Sequence, residues 1–385
     1  MKSSDLFIFL SIVLTIYTAA NYYVFRRAYQ ALPDNFTLKL AFIVIFFVLY
    51  ASYFTARFLE KASDSSIITG LIWIGSIWLA ALLYFFLIVL MLDVLRLINH
   101  YFHIFPAFLT LNWGKTKQIT LTLSIISVFL ILTIGYFNNL YPSIKRLNIT
   151  IPKKSSQLNY LKIVLASDIH LGTTIQKQKV IKLVELINNE KPDIVLFAGD
   201  ILDEDPQYVI RTNLGNPLKQ LSSKYGIYAI TGNHEYIGGV NNSANYIKSL
   251  GINLLRDSIA LIDNNFYLIG REDLSANRWS KTKRKDLSDF FLEINKNLPV
   301  ILMDHQPFNL RQASEYPIDL QVSGHTHHGQ LFPFNFITKA IYEKSYGYLK
   351  INNTNFFVSS GYGLWGPPIR TINRPEIVVI NLNFQ

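Results

Sequence analysis

The chain of 385 residues has no cysteine, so neither disulfides nor thiolate ligands are available to it. That absence fits either side of a membrane. Charge is also scarce: 16% of residues are charged, against roughly 25% in soluble proteins. The shortage is uneven. Residues 1–137 carry nine Lys/Arg and five Asp/Glu, and the remainder carries twenty-seven and twenty-one, so two different solvents are implied. The net charge is +10, yet no basic block interleaved with aromatics accompanies it, which excludes nucleic acid as an expected partner. The small cluster Lys281, Lys283, Arg284 and Lys285 suits a solvated loop or a lipid-headgroup contact.

What the first part does have is long apolar runs. Residues 6–25, 38–58, 67–92 and 119–137 each approach or exceed the ~20 residues that a helix needs to cross ~30 Å of hydrocarbon. Charged or turn-forming breaks separate them: Arg26–Arg27 with Pro33 and Asp34, Glu60–Lys61 with Asp64, and the stretch from Asn112 to Lys117. Tyr22, Tyr23, Trp113 and Tyr136 fall near the ends, where amphipathic rings favour the interface. Residues 1–140 therefore read as a multi-pass membrane region of about four transmembrane helices. Thr18-Ala19-Ala20 could serve signal cleavage, but the run is long and three more follow, so the first span is read as retained. Basic residues divide seven against six: Lys2, Arg57, Lys61, Lys145, Arg146, Lys153 and Lys154 against Arg26, Arg27, Lys39, Arg96, Lys115 and Lys117. This leans the later, charged part towards the cytoplasm. Asp93, Arg96, His100 and His103 gather at the end of the third run, and no ionisable network lies deeper, which argues against a transporter.

After Pro142 the pattern changes. Residues 141–158 read as a linker and 159–385 as one α/β domain. Short apolar runs at 162–167, 194–198, 226–231, 300–303 and 320–323 have strand character. Residues 176–190 have helical spacing, with Val180, Leu183, Val184 and Ile187 on one side. Strands alternating with helices place ligands at the carboxyl ends of the strands. Each of the five runs is followed there by polar donors: Asp168 and His170; Asp200; Asn233, His234 and Glu235; Asp304 and His305; His325, His327 and His328. All six histidines after residue 138 fall in these positions.

The chemistry of the set points to divalent cations. Asp168 and His170, like His325 and His327, are two residues apart and would face the same way on an extended segment. Asp200 has two oxygens and can bridge two cations ~3.5–4 Å apart. Nitrogen and oxygen donors without sulfur suit Mn, Fe or Zn and disfavour a purely oxygen-ligated Ca site. Two cations against two carboxylates leave positive charge for a phosphoryl group, and lower the pKa of water to roughly 7. Glycines 199, 232 and 324 precede donors, where a missing Cβ permits tight turns.

At these residues the chain resembles the calcineurin-like metallophosphoesterase superfamily. The family order D-x-H, G-D, G-N-H-E, H and G-H-x-H appears as Asp168/His170, Gly199-Asp200, Gly232-Asn233-His234-Glu235, His305 and Gly324-His325-Thr326-His327. The run from Ser360 to Arg370 is similar to the membrane-associated phosphodiesterase branch. The resemblance implies a β-sandwich flanked by helices, a four-layer α/β/β/α arrangement. It implies one metal on Asp168, His170, Asp200 and His327, and another on Asp200, Asn233, His305 and His325. His234 would contact the phosphate and protonate the leaving group.

The reading that follows is a membrane-anchored, dinuclear metal-dependent phosphoesterase, a phosphodiesterase rather than a monoesterase, acting by metal-activated hydroxide. The anchor suggests a phospholipid or a lipid-linked sugar pyrophosphate as substrate, with a soluble nucleotide or phosphoprotein as the alternative. A membrane receptor or scaffold whose metal site only binds phosphate is the rival class, and intact His234 weighs against it. Among weaker candidates, His328 and Asp304 are expected to point away from the centre, and Glu235 to fix its loop. Arg271, Asp273 and Arg370 are candidates for substrate contact, with ordinary surface roles the stronger expectation, and Asp203, Glu204 and Asp205 are expected in a solvated loop.

Overall fold

The computed structural model describes residues 3–60 and 65–385, in two compact units: Met1–Phe137 with Gly366–Thr371, and Asn138–Trp365 with Ile372–Gln385. Lys2, Lys61 and Asp64, used above in the charge count and the second break, lie outside the described residues.

The first unit is helical. Its elements are α1 (Ser3–Tyr29), α2 (Phe36–Glu60), α3 (Ser66–Phe102), the short α4 (Ala107–Thr110) and α5 (Trp113–Leu140). The four apolar runs fall on α1, α2, α3 and α5. Among the described residues, α2, α3 and α5 have the length and apolar composition to cross a membrane; α1 carries the first run as a continuous helix of 27 residues. Ser65 caps α3 by accepting from the Ile67 N–H at 3.2 Å, and His103 in a left-handed conformation ends it. The interior is aromatic. Tyr17 stacks on Tyr50, Phe46 meets Trp78 edge-on, and the Trp78 indole N–H donates to the buried Asn21 at 3.1 Å. Outward, Val44, Phe47, Leu97, Phe129 and Ile134 are all more than half exposed. So broad an apolar exterior would be unfavourable against water and is what hydrocarbon solvates. Gly366–Thr371 belongs to this unit although the sequence places it in the later domain; Arg370 there is fully buried, and its backbone N–H donates to the Gly135 carbonyl.

The second unit contains two mixed six-stranded sheets. The first has the order β1 (Ser143–Ile151), β12 (Glu376–Phe384), β2 (Tyr160–Ala166), β3 (Ile194–Phe197), β4 (Ile227–Ala229) and β5 (Asn253–Leu254). The second has β10 (Gly347–Ile351), β11 (Thr354–Val358), β9 (Leu320–Ser323), β8 (Val300–Met303), β7 (Phe266–Gly270) and β6 (Ser258–Ile262). Residues 143–151, inside the expected linker 141–158, are a strand paired in parallel with β12.

The alternation of side chains builds the layers. On β2, Ile163 and Leu165 enter a core shared with Leu268, Ile301, Met303 and Val322 of the second sheet. Val164 and Ala166 face the other way, onto Val180, Leu183 and Ile187 of α6 (Lys177–Asn189). A third core packs β7, β8 and β11 against Leu287, Phe290 and Leu310 from short helices. Helix, sheet, sheet, helix is the four-layer order. The strands β2, β3 and β4 are parallel neighbours, as are β8 and β9, so in each sheet the carboxyl ends gather on one edge.

Candidate metal centre

The five loops that leave β2, β3, β4, β8 and β9 meet. Asp168, His170, Asp200, His234, His305 and His327 are buried, with Asn233 and His325 half-buried. Asp168, His170, His325 and His327 converge, but on bent rather than extended backbone. Asp168, His170, Asp200, His325 and His327 all have left-handed φ, between +45° and +72°. Non-glycine residues rarely adopt this conformation, and it clusters where side chains must be aimed. Two glycines make the approach possible. Gly199 has φ +89°, and a Cβ there would stand 2.5 Å from His305 Nδ1. A Cβ on Gly324 would collide with the Asp168 carboxylate.

Donor atoms collect in groups whose members lie within 4.8 Å of one another: Asp168, His170 and His327; Asp200, His305 and His325; and His170, Asp203 and His234. In the first, His170 Nε2 and His327 Nε2 face each other at 3.0 Å. In the second, His305 Nε2 is 3.0 Å from Asp200 Oδ2 and 3.3 Å from Asn233 Oδ1. The His305 Nδ1 sits 2.7 Å from the Ala198 carbonyl oxygen; it must carry the hydrogen, leaving Nε2 turned to the centre. Asp200 lies between the groups, with Oδ2 also 3.9 Å from His170 and Oδ1 accepting from the His234 N–H.

His234 is held by a carboxylate that the sequence does not single out. Asp203 Oδ1 is 3.2 Å from His234 Nδ1 and 3.7 Å from His170 Nδ1. The expected solvated loop is therefore wrong for Asp203, which is 6% exposed. A bridge between Leu171 and Leu202 pulls it inward, and its N–H donates to the Leu171 carbonyl. Its spacing of three after Asp200 was the available signal. Asp205 instead caps α7 (Pro206–Thr212). Glu235 is fully buried on α8 (Asn233–Ile237). It accepts from the N–H groups of Gly232, Asp200 and Leu202 at 2.7, 3.1 and 2.8 Å, tying two donor loops together.

Electrostatics test whether cations fit. Burial raises the Asp168 carboxyl, with His305 opposing. Burial would also raise Asp200, but His305 and His234 outweigh it and hold Asp200 well below the carboxylate range. His305 is lifted well above 6.5 by Asp200 against the opposing cost of burial. His234 reaches about 9, where burial is overcome by Asp200 and Asp203. His325 is lowered to about 3 by burial and the charge on His305. Among the described residues, no lysine or arginine pairs with Asp168 or Asp200, so their charge is balanced only by imidazolium. Buried carboxylates without fixed counter-charges, and imidazole nitrogens pointing at one another, are what divalent cations satisfy.

The remaining candidates lie outside this cluster. His328 Nδ1 meets Ser345 Oγ at 3.1 Å. Asp304 pairs with Arg271 and Arg284, and Asp273 accepts twice from the Gln306 amide at 3.0 Å. Asp273 and Arg370 are thus buried rather than surface groups, and Arg271 is half-buried, held by Asp304 from a segment distant in sequence.

Comparison with known proteins adds the following. Residues 161–329 match the model of the calcineurin-like phosphoesterases, a span that includes every donor named above. The chain is 31% identical over 389 residues to an uncharacterized metallophosphoesterase of Campylobacter jejuni, covering 97% of this chain and 98% of that one. It is 34% identical over 251 residues to an uncharacterized metallophosphoesterase of Helicobacter pylori, covering 64% and 66%. It is 32% identical over 285 residues to a transmembrane protein with metallophosphoesterase domain of Bos taurus, covering 70% and 64%. The matches to the second and third thus span just under two thirds of those chains.

Proposed function

The chain belongs to the calcineurin-like phosphoesterase family, whose members are metal-dependent phosphoester hydrolases, and we propose that its residues 159–385 hydrolyse phosphoester or pyrophosphate bonds with a pair of divalent cations. One cation would be held by Asp168, His170, Asp200 and His327, the other by Asp200, Asn233, His305 and His325. The observation that carries this reading is the adjacency of two donor groups from two sheets at Asp200. Mn, Fe or Zn suit the donors. Such a pair supplies hydroxide near neutral pH and draws charge from phosphorus.

The chain's own groups do the rest. Asp203 Oδ1 stands 3.2 Å from His234 Nδ1, where it would orient the ring and leave Nε2 for the phosphate. In the metal-free protein Asp200 and Asp203 raise the pKa of this ring to about 9 against the cost of burial, which favours the protonated form that would donate to the leaving oxygen. Glu235 fixes the Asp200 and Gly232 loops in register.

A lipid-borne phosphodiester is the substrate class we favour, at a multi-pass membrane protein. Supporting this, the helix Phe334–Ile341 follows directly on the His325–Gly329 loop and leaves Phe336, Ile337 and Ile341 more than half exposed. An apolar face beside a metal loop suits contact with acyl chains. The test is turnover by the detergent-solubilised protein of an aryl phosphodiester and a phospholipid, with Mn, Fe and Zn in turn. Asp200→Asn and His234→Gln should each lower turnover of both substrates by at least about a hundredfold. Near-normal turnover by either folded variant would refute the assignment. Equal preference for soluble and lipid diesters would remove only the lipid.

A further inference from the structure

The helical unit holds a half-open cavity of about 620 Å³, inside the ~300–1,000 Å³ range of small-molecule sites. Its wall is almost wholly apolar, with Phe42, Phe46, Leu49, Phe85 and Leu121 among the lining residues. One end is different: Arg27, Asp93, Arg96, Trp113 and Lys117 line it together. These come from the end of α1, the last third of α3 and the start of α5, which the helix order brings to one end of the bundle. All lie outside the metal centre.

The charges there do not cancel. Asp93 receives Arg27 at 2.7 Å, Arg96 at 3.5 Å and the Tyr23 hydroxyl at 2.6 Å. Two guanidiniums thus share one carboxylate, and among the described residues Lys117 has no acidic partner. Three cations against one anion leave a net charge of +2 at the mouth of an apolar space. Arg96 also lies over the Trp113 ring at 5.9 Å. An indole beside arginine marks headgroup depth, with hydrocarbon beyond it. Water gains nothing from an apolar cavity, and a free phosphate would leave most of it unfilled.

We propose that this cavity is a binding site for one anionic membrane phospholipid. An acyl chain occupies the apolar space and the phosphodiester is met by Arg96 and Lys117. The Arg27–Asp93 pair holds the two basic helices in place behind it.

The test is native mass spectrometry of the full-length protein in detergent, titrated with phosphatidylglycerol and with phosphatidylcholine of the same acyl chains. One phosphatidylglycerol should be retained, about thirtyfold more tightly than phosphatidylcholine, as two basic contacts would give. Arg96→Gln/Lys117→Gln leaves the Arg27–Asp93 pair intact and should reduce phosphatidylglycerol to the level of phosphatidylcholine. Ala28→Trp, which projects an indole into the cavity and replaces none of the charged residues, should sharply lower retention of both. Circular dichroism and melting establish that each variant folds. Equal binding of the two lipids by the parent protein, or undiminished retention of phosphatidylglycerol by folded Ala28→Trp, shows annular lipid only and overturns the proposal. Should the double variant fail to fold, Ala28→Trp decides alone.

Discussion

Asp203→Asn separates charge from geometry at the proposed general acid. The amide oxygen can still accept from His234 Nδ1, 3.2 Å away in the parent protein, so the ring keeps its orientation. What disappears is one of the negative charges that lift His234 from 6.5 to about 9, a rise worth ~3 kcal/mol in all. Asp200 raises it through its charge and Asp203 through both its charge and its hydrogen bond, so the variant gives up on the order of 1–2 kcal/mol. That corresponds to an alkaline limb moved about one unit lower, so kcat should fall only about twofold at pH 8 and about tenfold above pH 10. KM for an aryl phosphodiester and the metal content should be unchanged. Asp203→Ala also loses the orienting acceptor and should fall by a further factor of about ten. The decisive control is metal analysis, because His170, Asp203 and His234 also lie close enough together to hold an ion. Loss of bound metal from folded Asp203→Asn, with an unmoved alkaline limb, would make Asp203 a ligand and end this account of His234.

Two other outcomes are expected. In Gly324→Ala a Cβ would collide with Asp168 and stand 2.7 Å from the Ser167 side chain; overpacking of ~1–3 kcal/mol should lower the melting temperature by a few degrees and reduce Mn stoichiometry, and full metal binding would show that the approach tolerates a methyl group. His234 and His305 both have folded pKa values above 6.5, so their contribution to the stability of metal-free protein is complete below pH 6.5 and is lost as the pH rises through about 9 for His234. Melting temperatures measured with a chelator should therefore fall between pH 6.5 and 9.5, and saturating Mn should raise the curve and flatten it, since cations replace those protons; parallel curves with and without Mn would contradict this.

How much was legible depended on whether the signal was local. β3, β8 and β9 are short apolar runs buried on both faces, β2 is nearly so and β4 is half-buried, and each is recognisable on its own. β1 escaped because its exposed Lys145 and Arg146 make it read as a linker, and only pairing with β12 makes it a strand. β10 is half exposed and lies at a sheet edge, where burial leaves little imprint on composition. The pairing of Asp168 with His170 was legible, but extended geometry was the wrong reason: left-handed turns do the aiming. Asp203 was hidden in an acidic triplet of which it alone is drawn in beside His234.

By itself the sequence determined the inventory: apolar runs long enough for a bilayer, and oxygen and nitrogen donors following five strands. These follow from hydrophobic length and residue chemistry, which neighbours in the chain express. Tertiary structure decided which donors share a group, which ring nitrogen faces inward and which carboxylate stands behind His234. Those relations join residues as far apart in the chain as Asp168 and His327, and they exist only when two sheets pack with their strand ends on one edge.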